Sequence, residues 1–310
     1  MTNKIEEIRQ LQEKPRWVKD YIPLDKSWII RMGILDLFSG DKNRKAYLKT
    51  FLENQKDLGG DLLALKGVIE TWETGESIDV GESGTLYRIL QFASWNLKLN
   101  KKFITHGTLI KRVEEMTEGP EIVEMSLNEL LDLPEKTSQW ATASVLLENK
   151  ERIFNPPYKL QVSFDAVDYW NKQRQQGKTW EPRPDKTIQK QAEVFLEMIK
   201  ETGVSFTPMQ AEDYCFAYTF GYMTREEGEA RWQDLHEHES DRFIEMEKML
   251  AKAKAGEEID SKDHRVVQAI AMWGLVNNKD VRFSYQDAVN KTWPKFWNFL
   301  EYAKFLKKSL

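Results

Sequence analysis

The chain has 310 residues, 31 % of them charged and 41 % hydrophobic, with a formal net charge of −5. That length predicts one large domain or two with a substantial core, and the negative balance supplies no overall basic field for nucleic acid. The single cysteine, Cys215, excludes a disulfide framework and a cysteine-built zinc site, and no stretch of about 18 apolar residues is present to span a membrane.

In chain order, the polar, acidic start Met-Thr-Asn-Lys-Ile-Glu-Glu reads as no signal peptide, and the expectation is a cytoplasmic, monomeric protein. Lys4 to Lys14 and Asn43 to Lys56 are charged and helical in pattern. Leu86, Ile89, Leu90 and Ala93 recur at helical spacing, as do Ala192, Phe195, Leu196 and Ile199. The second of these helices is expected to close on Thr202-Gly203, ahead of a strand-like Val204-Ser-Phe. Arg174 to Asp185 is polar and rich in breakers, the clearest linker. Ser240 to Gly256 is a charged amphipathic helix closed by glycine, and the alternating Val281 to Tyr285 is a strand candidate.

Charged motifs gather where helices start. Asp25-Lys26-Ser27 with Arg31 precedes the apolar run Met32 to Phe38, and Gly81-Glu-Ser-Gly84-Thr with Arg88 opens another helix. Thr137-Ser138-Gln139, Glu239 with Arg242, and Asp263-His264-Arg265 open three more, and Lys291 stands just before Thr-Trp-Pro. Free N–H groups and the macrodipole make helix N-termini hospitable to anions, and the planar arginine fork suits carboxylate and phosphate. Taken singly, Ser138, Asp241, Asp263 and Asp213 serve equally as N-caps, and Glu239 with Arg242 as an exposed pair. His236 and His238 face different sides of a helix and His264 stands alone, so no metal site is expected.

In order, this series resembles the EPSP synthase family, 3-phosphoshikimate 1-carboxyvinyltransferases, from about Leu24 to Leu300 and most closely at Glu239–Arg242, Lys262–Val276 and Asn290–Trp297. The resemblance implies an α/β fold of two domains built from repeated βαβ-type units, with the site in the cleft between them. The domains would be 1–25 plus 180–310, and 26–179. It implies transfer of the enolpyruvyl group of phosphoenolpyruvate to the 5-hydroxyl of shikimate 3-phosphate, with release of phosphate and no metal or organic cofactor. Lys26, Ser27, Arg31, Ser138, Gln139, Tyr158 and Asp213 would hold shikimate 3-phosphate. Lys26, Gly84, Arg88, Gln139, Arg242, Arg265 and Lys291 would hold phosphoenolpyruvate. Lys26, Asp213 and Glu239 would be catalytic, the carboxylates as acid-base groups.

The family's Gly-Asn-Ala-Gly-Thr is Gly-Glu82-Ser83-Gly-Thr here, His238 replaces a lysine, and Asp213 follows Tyr158 by only 55 positions. These departures motivate a second expectation, a non-catalytic relative that keeps a phosphate-binding cleft. The sister UDP-N-acetylglucosamine enolpyruvyl transferases usually carry a reactive cysteine in a mobile loop. Cys215 lies in an apolar helical run instead.

Overall fold

The computed structural model describes residues 20–133, 139–148, 150, 152–237 and 240–310. The expected Lys4–Lys14 helix, Ser138 and Glu239 lie outside them, as does the side chain of Tyr158. The described residues are mostly helical, 63 % in helix and 4 % in strand. The chain divides into two compact units, one of Lys26–Pro182, the other of Met1–Asp25 with Arg183–Leu310.

The Lys26–Pro182 unit is organised around α1 (Lys26–Phe38), in which every residue from Trp28 to Leu37 is buried. A helix that is predominantly apolar all round belongs in a core. Packed on it are α2 (Lys42–Asn54), α3 (Gly60–Thr71), α7 (Gln139–Glu148) and α8 (Tyr158–Gln175). Between α3 and α7 come β1 (Ser77–Asp79), α4 (Gly84–Asn96), β2 (Lys102–Ile104), α5 (Thr108–Glu114) and α6 (Leu127–Leu131). Asp41 caps α2 through the N–H groups of Asn43 and Arg44, and Ser83 caps α4 through Leu86. Asp36, fully buried, accepts from the indoles of Trp170 and Trp180, each at 2.7 Å, and has the Arg44 guanidinium 3.7 Å away. Desolvation raises its pKa against these partners.

The other unit has the same plan. Here α13 (His264–Val276) is buried from His264 to Gly274. Around it lie α9 (Lys186–Ile199), α10 (Tyr214–Thr219), α12 (Arg242–Ala255), the 3₁₀ turn Gln286–Lys291 and α14 (Phe296–Ser309); α11 (Arg225–Arg231) completes the set. Asp241 caps α12, and Gly256, at φ +76°, closes it in the left-handed region a glycine enters without strain. The indole of Trp293 donates to the carbonyl of Tyr21 at 2.7 Å, tying the segment before α1 into this unit.

The repeated βαβ architecture is therefore overturned. Among the described residues, the strands form one two-stranded parallel sheet, pairing Ser77 with Lys102, Ile78 with Phe103 and Asp79 with Ile104. Parallel sheets need near-continuous apolar runs because both faces are covered, and in these two strands only Ile78 is buried. The strand candidates fail for the same reason. Val204–Phe206 is irregular, its Phe206 ring packing on Phe216 and Tyr222, and Val281–Tyr285 makes only an isolated bridge, Phe283 to Ile259. The glycine closure expected at Gly203 falls earlier. Helix α9 stops at Ile199, and Glu201, not glycine, takes the left-handed φ of +56°.

Candidate functional site

The described motif residues do open helices: Lys26 begins α1, Gly84 α4, Gln139 α7, Arg242 α12 and His264 α13. Their side chains, however, largely serve one another. Lys26 Nζ is 2.7 Å from Asp61 Oδ2, a partly buried pair at the start of α3. Arg31, 4 % exposed, turns back as the spacing to Ser27 requires. Its Nη1 donates to the Ser27 carbonyl at 3.0 Å and to the Ser27 hydroxyl, and its Nε to Ser163 Oγ at 2.9 Å.

Three expected residues of this unit do meet. The N-terminus of α4 lies under two guanidiniums. A side chain at Gly84 would come within 3.2 Å of Arg88 Nη1 and 3.5 Å of Arg112 Nη1. Glycine thus leaves the room that the two cations occupy. Arg88 Nη1 also donates to Gln139 Oε1 at 3.4 Å. Burial, reinforced by Arg112, pulls Arg88 down to about 10, still protonated at neutral pH. The carboxylate of Glu82 reaches instead over Gly107, at φ +52°, into the space that a Cβ there would fill.

In the Arg183–Leu310 segment, Arg242 Nε is 2.8 Å from Asp263 Oδ2, with both side chains buried. Asp263 in turn caps α13 through the N–H of Arg265 at 2.9 Å and accepts from Ser240 Oγ at 3.2 Å. Asp213, the expected base, is 2 % exposed. Its Oδ1 accepts from Gln191 Nε2 at 2.8 Å and its Oδ2 from the N–H groups of Met209 and Gln210 at 2.9 and 3.4 Å. It ties a turn to α9 and makes no side-chain cap for α10. Lys291 ends the 3₁₀ turn, half-buried, and its neighbour Thr292 accepts from Gln268 Nε2 at 3.1 Å.

Arg265 is different. It is 6 % exposed, and its Nε and Nη1 are fully buried with no acceptor in reach. It lines a small cavity with Gln191, Glu212, Cys215, Phe216, Gln268 and Met272. The cavity has room for about one water-sized body. Burial pushes the Cys215 thiol up to about 12, and Arg242 and Arg265 only partly offset this, so Cys215 is a neutral wall rather than a nucleophile. A buried guanidinium with unmet donors is costly unless something completes it.

Sequence reasoning missed Gln191, Gln268 and Met272. A signal exists for Gln191: it occupies the apolar face of α9 between Ile188 and Phe195, where a polar side chain asks for a partner. Among the described residues no group of three or more His, Cys, Asp or Glu is placed to hold a metal, and no helix is long and apolar enough to cross a membrane. No protein-family model, no curated protein and no solved structure matches this chain.

Proposed function

We propose that this chain acts by binding a small anion inside the Arg183–Leu310 segment, a binding role as in the second expectation but not its phosphate-binding cleft. The observation that carries it is Arg265, nine-tenths buried, with two unmet N–H donors and a side chain that borders a small cavity. Its neighbour Arg242 is paired with Asp263, whereas Nε and Nη1 of Arg265 have no acceptor. In the other unit Arg88 and Arg112 also bring two cations together at the start of α4, but Arg88 already donates to Gln139.

Enolpyruvyl transfer to shikimate 3-phosphate rests on the motif series alone. It asks Asp213 to take a proton from a hydroxyl while both its oxygens already hold structural donors, and it asks Lys26 to leave Asp61. Two measurements on the full chain separate the readings. Thermal unfolding with added chloride, acetate, phosphate or phosphoenolpyruvate should show, for at least one anion, a stabilisation that Arg265→Met removes. A phosphate-release assay with phosphoenolpyruvate and shikimate 3-phosphate should show no turnover. Sustained release, lost in Glu239→Gln, would establish the transferase instead. No anion-dependent shift would refute binding.

A further inference from the structure

The two compact units share a stretch of chain that matches residue for residue. Residues 60–104, from α3 through β2, can be laid on residues 241–284, from α12 to just past the bridge at Phe283. The first helices bury the same positions. Asp61, Leu62, Leu65 and Val68 are buried in α3, and Arg242, Phe243, Met246 and Met249 are buried in α12. Leu63 and Ile244, large aliphatics at one shared place, are 55 % and 52 % exposed. Both helices lead into one pentapeptide, Gly75-Glu-Ser-Ile-Asp79 and Gly256-Glu-Glu-Ile-Asp260. Every one of these pairs is separated by 181 positions.

The second helices match as closely. One residue fewer in the turn brings Asp263 into line with Ser83, and each caps its helix with a side-chain oxygen. All eight buried positions of α4 have buried counterparts in α13. Both helices close on the same two-bond turn. The N–H groups of Lys98 and Leu99 donate to the carbonyls of Trp95 and Ser94 at 3.0 and 2.7 Å. Those of Asn278 and Lys279 donate to the carbonyls of Leu275 and Gly274 at 3.4 and 2.8 Å. Lys98 and Asn278 hold φ of +53° and +54°, the left-handed closure that glycine usually provides. Five positions on, Phe103 pairs in parallel with Ile78 of its pentapeptide, and Phe283 pairs in parallel with Ile259.

Helix caps and left-handed closures are each common, so one shared feature would mean little. Here the exposed aliphatic, the pentapeptide, the cap, the closure and the paired phenylalanine recur in one order with a single one-residue gap. We infer that 60–104 and 241–284 are diverged copies of one two-helix unit, a duplication inside the chain. The unit is helical, and its extended contact spans three residue pairs in one copy and one in the other, so no layered sheet returns. The surroundings of the copies have diverged, with α7 packed on α4 and α10 on α13. Thr85 and Arg88 occupy the places of Arg265 and Gln268, so Arg265 has no arginine counterpart. The duplication stands whether or not Arg265 binds an anion.

The test exchanges segments in the full chain and reads circular dichroism and thermal unfolding. Replacing 96–104 by the sequence of 276–284 keeps the length, keeps phenylalanine at its paired position and sets asparagine at the left-handed one. A control inserts the sequence of 275–283, a slip of one residue that sets an arginine where Phe103 stands and turns the strand's side chains to the other face. The in-register chimera should keep the parent's helical signal and unfold about 4 °C or more above the slipped one. The reciprocal grafts, 96–104 or 95–103 placed at 276–284, should rank the same way. Two point exchanges need no repacking. Lys98→Asn should raise the midpoint, because asparagine enters the left-handed region more readily than lysine, and Asn278→Lys should lower it. If the slipped chimeras are as stable as the in-register ones, or the point exchanges shift the midpoint in the same direction, the duplication is overturned. Where no chimera folds, the point exchanges decide.

Discussion

Each unit threads one helix through its middle, and each of those helices carries a buried arginine. Arg31 in α1 spends its guanidinium on Ser27 and Ser163, whereas Arg265 in α13 keeps Nε and Nη1 without an acceptor. The residues are equally buried, at 4 % and 6 % exposure. Burial of a charge therefore says nothing about function by itself. What distinguishes a structural arginine from a binding one is whether its donors are met inside the chain.

The comparison breaks first at Arg242. This residue neutralises Asp263 beside Arg265, and Arg242→Met removes that guanidinium from a fully buried carboxylate. A loss of about 3–5 kcal/mol is expected in urea unfolding, the scale for breaking a buried ion pair from one side. A loss near zero would mean that the other donors to Asp263 serve it well enough. Next comes Arg31→Met, which strips donors from Ser163 and Ser27. It should cost about 1–3 kcal/mol. Arg265→Met should go the other way, gaining about 1 kcal/mol in the absence of a bound anion, because an uncompleted buried charge is replaced by an apolar chain of similar length. Should Arg31→Met and Arg265→Met destabilise alike, the contrast between the two arginines would collapse.

The sequence announced much of this at the level of single helices. Asp241 and Asp263 sit as N-caps where side-chain oxygens meet free N–H groups, and Gly256 stops α12. The same local rules are silent about layers. Three-residue alternations such as Val204–Phe206 satisfy a strand pattern, but Phe206 is used on an aromatic cluster with Phe216 and Tyr222. The motif residues were legible as charged helix starts. Their partners were not, since Ser163 lies 132 positions from Arg31 and Asp61 lies 35 from Lys26. Whether a guanidinium is spent or unspent is a property of packing, and helical spacing shows only which side chains share a face.

The finest contrast lies between Asp36 and Asp263, the buried carboxylates at the centre of each unit. Asp263 has a guanidinium at 2.8 Å, whereas Asp36 relies on two neutral indoles with Arg44 at 3.7 Å. Indole N–H groups bind a carboxylate without cancelling its charge, so desolvation wins and the pKa of Asp36 rises above its ordinary value of 3.8. The native state then holds the Asp36 proton more firmly than the unfolded chain does. The stability this adds is fully present below pH 3.8 and is lost as pH rises through the raised native value. The carboxamide introduced by Asp36→Asn cannot titrate, so wild-type stability minus variant stability should fall as pH rises across that window. The variant also has a single side-chain acceptor at this position and leaves one indole unmet, a constant cost of about 1–3 kcal/mol that does not move with pH. Tryptophan emission should separate the two effects, because Trp170 and Trp180 both donate to this carboxylate. A wild-type-minus-variant difference that grew with pH would show that Arg44, not desolvation, governs Asp36.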